Sequence, residues 1–326
     1  MSHEKPLPQS TNEKIRIEDN GSTTFIHAEG KEKTSPCPVI FAPGLGESAE
    51  WSFRKPTEEL AALGHDVYAI SHPSKGLSEE FLRDELNGMV LALKVRARAR
   101  GIADSEIDAL IAKIPITEFR KAYVLVTFAR EKVLRGNGGR VDIIGHSQGG
   151  SYALIAAFLE PTLVDHLVLV NPAGQVGGDS FARMFRSFHW RGLTEAIQTG
   201  KWTAVWDTVA YLLARSYMLL PYSKYSRAMQ EGRALADFDA YPFLMMLQRL
   251  DPAIDRVTMY DTSDRLMRKK KIEDAARIAR GKQDEQTALG ERRVTKGMGH
   301  YSLITHAKEF AMEFHRILTR KPAATA

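Results

Sequence analysis

The sequence has few features of a secreted or membrane-spanning protein. It contains a single cysteine, Cys37, in 326 residues, which excludes an internal disulfide and any metal site built from several cysteines. No apolar run approaches the roughly 18 residues of a membrane-spanning helix, so we expect no stable membrane insertion. Residues 1–6 are polar and lack the apolar stretch of a secretory signal, and these absences together favour a cytoplasmic location.

Evidence for nucleic-acid or metal binding is also missing. The formal net charge is only +5, with basic residues concentrated in 265–271 and at Arg292 and Arg293. Glu273 and Asp274 follow the first cluster, and neither cluster has interleaved aromatic residues on which bases stack. We therefore expect solvated surface there and no nucleic-acid partner. No pair of histidines has metal-ligand spacing with a third ligand nearby, so we expect no metal and no cofactor.

The arrangement of apolar segments predicts an α/β fold. The composition, with 44% hydrophobic and 26% charged residues, is that of a globular protein. Helix-compatible stretches separate most of the strand-like runs, which predicts a mostly parallel central sheet with helices on both faces. Lys14–Ile17 and Thr23–His27 are candidate antiparallel edge strands. The strand-like runs of the core are Val39–Phe41, Val67–Ile70, Val141–Ile144, Leu167–Val170 and Val257–Tyr260.

Two stretches are too long to be ordinary connections between strand and helix. The first, about 79–116, has apolar residues at helical spacing and is interpreted as an inserted helical element. The second, 175–250, carries aromatic and methionine residues at helical spacing and is interpreted as a helical cap subdomain. The predicted α/β core then comprises residues 1–174 and 251–326.

The most informative motif is Gly-x-Ser-x-Gly at Gly145–Gly149. A short β-branched run precedes it, and a helical stretch predicted for Ser151–Leu159 follows it. In this context the motif predicts a sharp strand-to-helix turn that exposes the hydroxyl of Ser147 as a nucleophile. A serine needs a base within hydrogen-bond reach, and that base needs a group that holds its tautomer.

Candidates for both groups follow predicted strands. His300 lies in a glycine-rich loop after the strand-like Arg293–Thr295, whereas His306 and His315 fall on the apolar-periodic C-terminal helix. For the acid we favour Asp264, with Asp261 as the alternative, since Asp261 is also suited to forming a turn. His146 adjoins Ser147, and we expect its side chain to point away and support the turn.

These motifs together resemble the α/β-hydrolase superfamily, in particular serine esterase- and lipase-like members with a helical cap. The chain order Ser147, Asp264, His300 is the order of that family's triad. The resemblance implies that the backbone amides of Leu45, in Pro43–Gly46, and of Gln148 form an oxyanion hole. The chain departs from the family pattern at Pro43, Ser71 and Asp261, where histidine, aspartate and glycine are usual.

The resemblance implies a serine hydrolase that cleaves carboxylic esters of a small or medium apolar substrate through an acyl-enzyme intermediate. An N-terminal proline peptidase, a thioesterase, a carbon–carbon hydrolase and an acyltransferase use the same triad, and the residues do not separate them. A non-catalytic binding protein on this scaffold is a more remote alternative. A membrane-surface lipase would use the helix near Phe81–Arg100, whose acidic residues disfavour that hypothesis.

Overall fold

A computed structural model gives the fold of the chain. The residues that it describes are 7–17, 21–45, 47–71, 77–174, 231–261, 263–264, 290–295 and 298–320. This set does not include residues 175–230 of the predicted cap 175–250, the basic cluster 265–271 or the loop residues 72–76.

The described strands form one eight-stranded sheet in the order β1-β2-β4-β3-β5-β6-β7-β8. β1 and β2 are antiparallel to their neighbours, and β3 to β8 are all parallel, which confirms the predicted fold class and both predicted edge strands. The strands are β1 (Thr11–Ile17), β2 (Gly21–Glu29), β3 (Val39–Ala42), β4 (Asp66–Ile70), β5 (Val141–His146), β6 (Val164–Val170), β7 (Asp255–Asp261) and β8 (Glu291–Thr295).

Helices cover both faces of this sheet, and each face has its own hydrophobic core. β5 is buried at every position between them, which is why its sequence does not alternate between apolar and exposed polar residues; its polar side chains, Asp142 and His146, are buried and hydrogen-bonded. The helices are α1 (Ala49–Ser52), α2 (Arg54–Ala62), α3 (Glu79–Ala99), α4 (Asp104–Ile111), α5 (Ile116–Phe128), α6 (Gln148–Leu159), α7 (Tyr241–Leu250), α8 (Ser302–Thr305) and α9 (Ala307–Leu318).

The segment interpreted as a helical insertion contains α3 and α4. The Ser78 side chain caps α3 by accepting the Phe81 N–H, and acidic residues in its first turn and basic residues in its last turn suit the helix dipole. Its apolar stripe, which includes Leu82 and Leu93, packs into the same core as α5 and α6. None of the described helices is both long and apolar enough to cross a bilayer.

The last ten residues of the predicted cap form α7. This helix packs on α6, where the Phe158 and Phe243 rings lie 5.3 Å apart in an edge-on arrangement. α7 therefore belongs to the helical layer that covers the sheet and leads into β7. We accordingly place the end of the proposed cap before Tyr241.

Candidate active site

The carboxyl ends of the parallel strands lie at one edge of the sheet, and five of the loops that follow them are relevant to the candidate site. These loops follow β3, β5, β6, β7 and β8. All the sequence-predicted site residues lie in them or directly beside them.

Ser147 occupies the turn between β5 and α6. Its backbone has φ +53° and ψ −119°, a conformation that non-glycine residues adopt only at a cost of about 1–3 kcal/mol. The Ser147 N–H donates to the Val170 carbonyl oxygen at 3.0 Å, and the buried surroundings hold the turn in place. The predicted strand-to-helix turn is thus present, and α6 begins directly after the serine.

The two glycines of the motif allow close backbone contacts around Ser147. A Cβ on Gly145 would lie 2.6 Å from the Gly149 carbonyl oxygen, and a Cβ on Gly149 would lie 1.8 Å from the Ala42 carbonyl oxygen. Real Cβ atoms do not approach backbone atoms this closely. α6 can therefore pack against the ends of β3 and β5 only if these side chains are absent.

The Gly149→Ala variant is expected to lower the free energy of unfolding by about 3 kcal/mol, because backbone must move to admit the methyl group. Gly88→Ala is the matched control, since its added Cβ would meet nothing within 4 Å on the exposed face of α3. That control is expected to gain about 0.5–1 kcal/mol from its better helix propensity. Urea unfolding of the two variants measures both values. Equal stabilities would contradict the close packing at Gly149.

The structure brings His300 and Asp264 together with Ser147. His300 Nε2 lies 3.0 Å from Ser147 Oγ, and His300 Nδ1 lies 2.7 Å from Asp264 Oδ2. All three side chains are buried. An ionised carboxylate only accepts, so the hydrogen is assigned to Nδ1, which leaves the Nε2 lone pair to accept the serine O–H. This arrangement is suited to removing a proton from Ser147.

Asp261, the alternative acid, is engaged elsewhere. One of its carboxylate oxygens accepts the Ser263 N–H at 2.7 Å, and the other accepts the Thr295 hydroxyl at 2.7 Å and the Met298 N–H at 3.1 Å. Burial acts to raise the pKa of Asp261, but these hydrogen bonds outweigh it and lower that pKa. Asp261 therefore connects the loops after β7 and β8. This contact pattern agrees with the turn-forming role that the sequence suggests for Asp261.

The peptide groups that contain the Leu45 and Gln148 N–H are fixed by hydrogen bonds to their carbonyl oxygens. The Gly44 carbonyl oxygen accepts the Glu47 N–H at 3.2 Å, and the Ser147 carbonyl oxygen accepts N–H groups from Gly150 and Ala173, each at 3.1 Å. In a trans peptide the N–H points opposite to the C=O. The Leu45 and Gln148 N–H groups therefore point away from the hydrogen bonds that the two carbonyl oxygens accept. A Cβ on Gly44 would lie 3.0 Å from Ser147 Cβ, so the two turns are in contact.

The amide side chain of Asn171 is a connection that the sequence analysis missed. Its backbone has φ +43° and is buried at the end of β6. Its Nδ2 lies 3.1 Å from the His300 carbonyl oxygen, and its Oδ1 accepts the Asp261 N–H at 2.9 Å. The only sequence signal is that asparagine, which tolerates the left-handed region, directly precedes Pro172.

The Gln148 side chain is anchored on α5. Its Nε2 donates to Glu118 Oε1 at 2.6 Å, and Lys121 of the same helix pairs with Glu231 at 3.1 Å. Glu118 is fully buried, and this burial raises its pKa despite the nearby Lys121. Sequence reasoning missed Glu118 because nothing in the sequence distinguishes this buried acid from an ordinary solvent-exposed charge on a helix.

A possible metal-ligand set lies at the opposite edge of the sheet, where the strands begin. Ligand atoms of Cys37, Asp142 and Asp165 lie within 4.8 Å of one another. Asp142 Oδ1 is 2.7 Å from His166 Nδ1, and Asp165 faces Arg140 at 3.7 Å. Burial, followed by the neighbouring carboxylates, raises the pKa of the Cys37 thiol to about 12. His166 and Arg140 thus already face these carboxylates, at the edge of the sheet opposite to Ser147.

Several solved structures share this architecture. A bacterial membrane phospholipase A is 13% identical, with 95% of this chain and 86% of that chain covered and a TM-score of 0.59. A putative lipase from Acinetobacter baumannii is 14% identical, with 95% and 91% covered and a TM-score of 0.57. A thioesterase domain from the curacin biosynthetic pathway is 14% identical, with 93% and 98% covered and a TM-score of 0.52. At such identities the likeness establishes the fold alone.

No curated protein sequence matches the chain. A model of the alpha/beta hydrolase family, however, matches residues 39–313, which extend from β3 into α9 and include all the loops described above. The protein belongs to the alpha/beta hydrolase family.

Proposed function

We propose that the protein is a serine hydrolase that cleaves carboxylic esters of small or medium apolar substrates. The observation that carries this proposal is the hydrogen-bonded series Ser147 Oγ, His300 Nε2, His300 Nδ1 and Asp264 Oδ2, with separations of 3.0 Å and 2.7 Å. A buried serine in a strained turn, bonded to a histidine that a carboxylate orients, is suited to nucleophilic attack.

In the proposed reaction Ser147 Oγ attacks the acyl carbon while His300 Nε2 takes its proton. Asp264 stabilises the imidazolium that forms, and the Leu45 and Gln148 amides donate to the developing oxyanion. The leaving alcohol takes the proton from His300, so an acyl-enzyme remains. Water then attacks that ester with His300 again as base, which releases the acid and restores Ser147. No cofactor enters these steps.

The choice of an ester rests on the lipase-like resemblance and on the lipase and phospholipase among the structural neighbours. We assign recognition of an apolar acyl or alcohol group to the proposed cap, whose composition is aromatic and methionine-rich. The thioesterase neighbour favours thioester cleavage as the second candidate, since a thioester passes through the same acyl-enzyme.

A substrate panel tests this proposal. It contains p-nitrophenyl esters of increasing acyl length, an acyl thioester and an aminoacyl-naphthylamide. We expect the esters to give the highest kcat/KM, with a maximum at short or medium acyl chains. Preference for the thioester would support the second candidate, and preference for the naphthylamide would indicate a peptidase. Binding of these compounds without turnover would indicate a non-catalytic protein.

A further inference from the structure

Glu47 holds the turn that carries the Leu45 amide. Its Oε2 accepts the Gly44 N–H at 2.5 Å, and its own N–H donates to the Gly44 carbonyl oxygen at 3.2 Å. Both peptide groups that flank Gly44 are thus bound by one residue. The second of these bonds fixes the plane of the Gly44–Leu45 peptide, and with it the direction of the Leu45 N–H.

The same carboxylate reaches His146, which is fully buried between two acceptors. His146 Nδ1 lies 2.8 Å from Glu47 Oε1, and His146 Nε2 lies 2.9 Å from the His300 carbonyl oxygen. A carbonyl oxygen only accepts, so Nε2 carries a hydrogen. An ionised carboxylate also only accepts, so Nδ1 carries a second hydrogen. With Glu47 ionised, the geometry therefore requires a doubly protonated His146.

We propose that Glu47 and His146 form a buried ion pair that acts as a positioning pair for the active site. The inference rests on the proposed function, because the pair would position two parts of that reaction: the turn that carries the Leu45 amide and the peptide that carries the general base His300. The series runs from the Gly44 N–H through Glu47 and His146 to the His300 carbonyl oxygen. It therefore links the loops after β3, β5 and β8 around Ser147.

A purely stabilising role explains this arrangement less well. Burying an ion pair gains little stability over apolar packing, because both charges lose their water. The pair does fix two distant backbone groups relative to each other: the turn that aims the Leu45 amide and the peptide that carries His300. Misplacement of a reacting group by about 1 Å costs on the order of 100-fold in rate, so such a link has a direct kinetic consequence.

Glu47→Ala is expected to lower kcat by about 100-fold with little change in KM. Affinity for a trifluoromethyl ketone, which forms a tetrahedral oxyanion on the serine, should fall by the same factor. Glu47→Gln is expected to stay within about fivefold of the wild type, because its amide can accept from Gly44 and donate to His146 Nδ1. Glu58→Ala is the matched control; this acid on α2 binds Ser10 instead and should leave both quantities unchanged. Wild-type kcat in Glu47→Ala, or equal losses in Glu47→Ala and Glu47→Gln, would overturn the proposal.

Nitrogen NMR of the histidine rings tests the pair without any substrate. In the wild type both ring nitrogens of His146, assigned with a His146→Asn variant, should carry a hydrogen. In Glu47→Gln one of them should lose its hydrogen. A neutral His146 ring in the wild type would overturn the ion pair. This readout remains decisive if Glu47→Ala does not fold. It also remains decisive if no compound of the panel is hydrolysed, a result that would reject the proposed function but not the ion pair.

Discussion

Ser147→Ala is expected to lower kcat for the best ester by about 10⁶-fold, because the variant lacks the oxygen that forms the acyl-enzyme. The loss should appear in kcat rather than in KM, since the methyl group leaves the surrounding cleft in place. Within the described residues the removed hydroxyl is bonded to His300, so the free energy of unfolding should change by only about 1 kcal/mol. Ester hydrolysis and urea unfolding measure the two effects.

Ser151→Ala is the matched control for this experiment. Ser151 is a buried serine on the first turns of α6, and its Oγ donates to the Ala173 carbonyl oxygen at 3.4 Å. Loss of the Ser151 hydroxyl should leave kcat close to the wild-type value. Comparable rates in Ser147→Ala and the wild type would reject Ser147 as the nucleophile, and equal losses in both serine variants would indicate a general structural effect.

Asp264→Asn is expected to lower kcat by about 10⁴-fold. The asparagine amide no longer provides an acceptor-only partner for His300 Nδ1, so the imidazole can adopt the wrong tautomer and its cation is not stabilised. Asp261→Asn is the matched comparison on the same loop. It should cost about tenfold or less in kcat but about 1–2 kcal/mol in unfolding free energy, because it weakens the bonds to Ser263, Thr295 and Met298.

These two variants together separate the acid that faces the histidine from the acid that organises the loop. Steady-state kinetics and urea unfolding of both proteins give the comparison. A larger kinetic loss in Asp261→Asn than in Asp264→Asn would exchange the two assignments.

The elements around Ser147 were predictable because each depends on local sequence. The run 141–144, which is β-branched apart from Asp142, predicts a strand covered on both faces, and the structure confirms it as part of β5. The helix was predicted to start at Ser151 but starts at Gln148. The reason is that Gly149 and Gly150 have poor helix propensity, and their close packing against Ala42 and Pro172 is visible only in three dimensions.

The proximity of Ser147, Asp264 and His300 was predictable from topology. All three follow strands of a parallel sheet, and the carboxyl ends of such strands share one edge. Glu47 and Asn171 could not be predicted in the same way. Glu47 and His146 are 99 positions apart, and no periodic pattern in the sequence around either residue indicates a contact between them. Such contacts between loops depend on exact backbone positions, which propensity and periodicity do not determine.

Mass spectrometry of the protein after reaction with a fluorophosphonate tests the central claim most directly, because this reagent phosphonylates activated serines preferentially. The account predicts one adduct per chain, located on Ser147, with loss of ester hydrolysis in proportion to labelling. It also predicts no adduct in His300→Ala. An adduct on another residue, or full ester hydrolysis by protein labelled at Ser147, would contradict it.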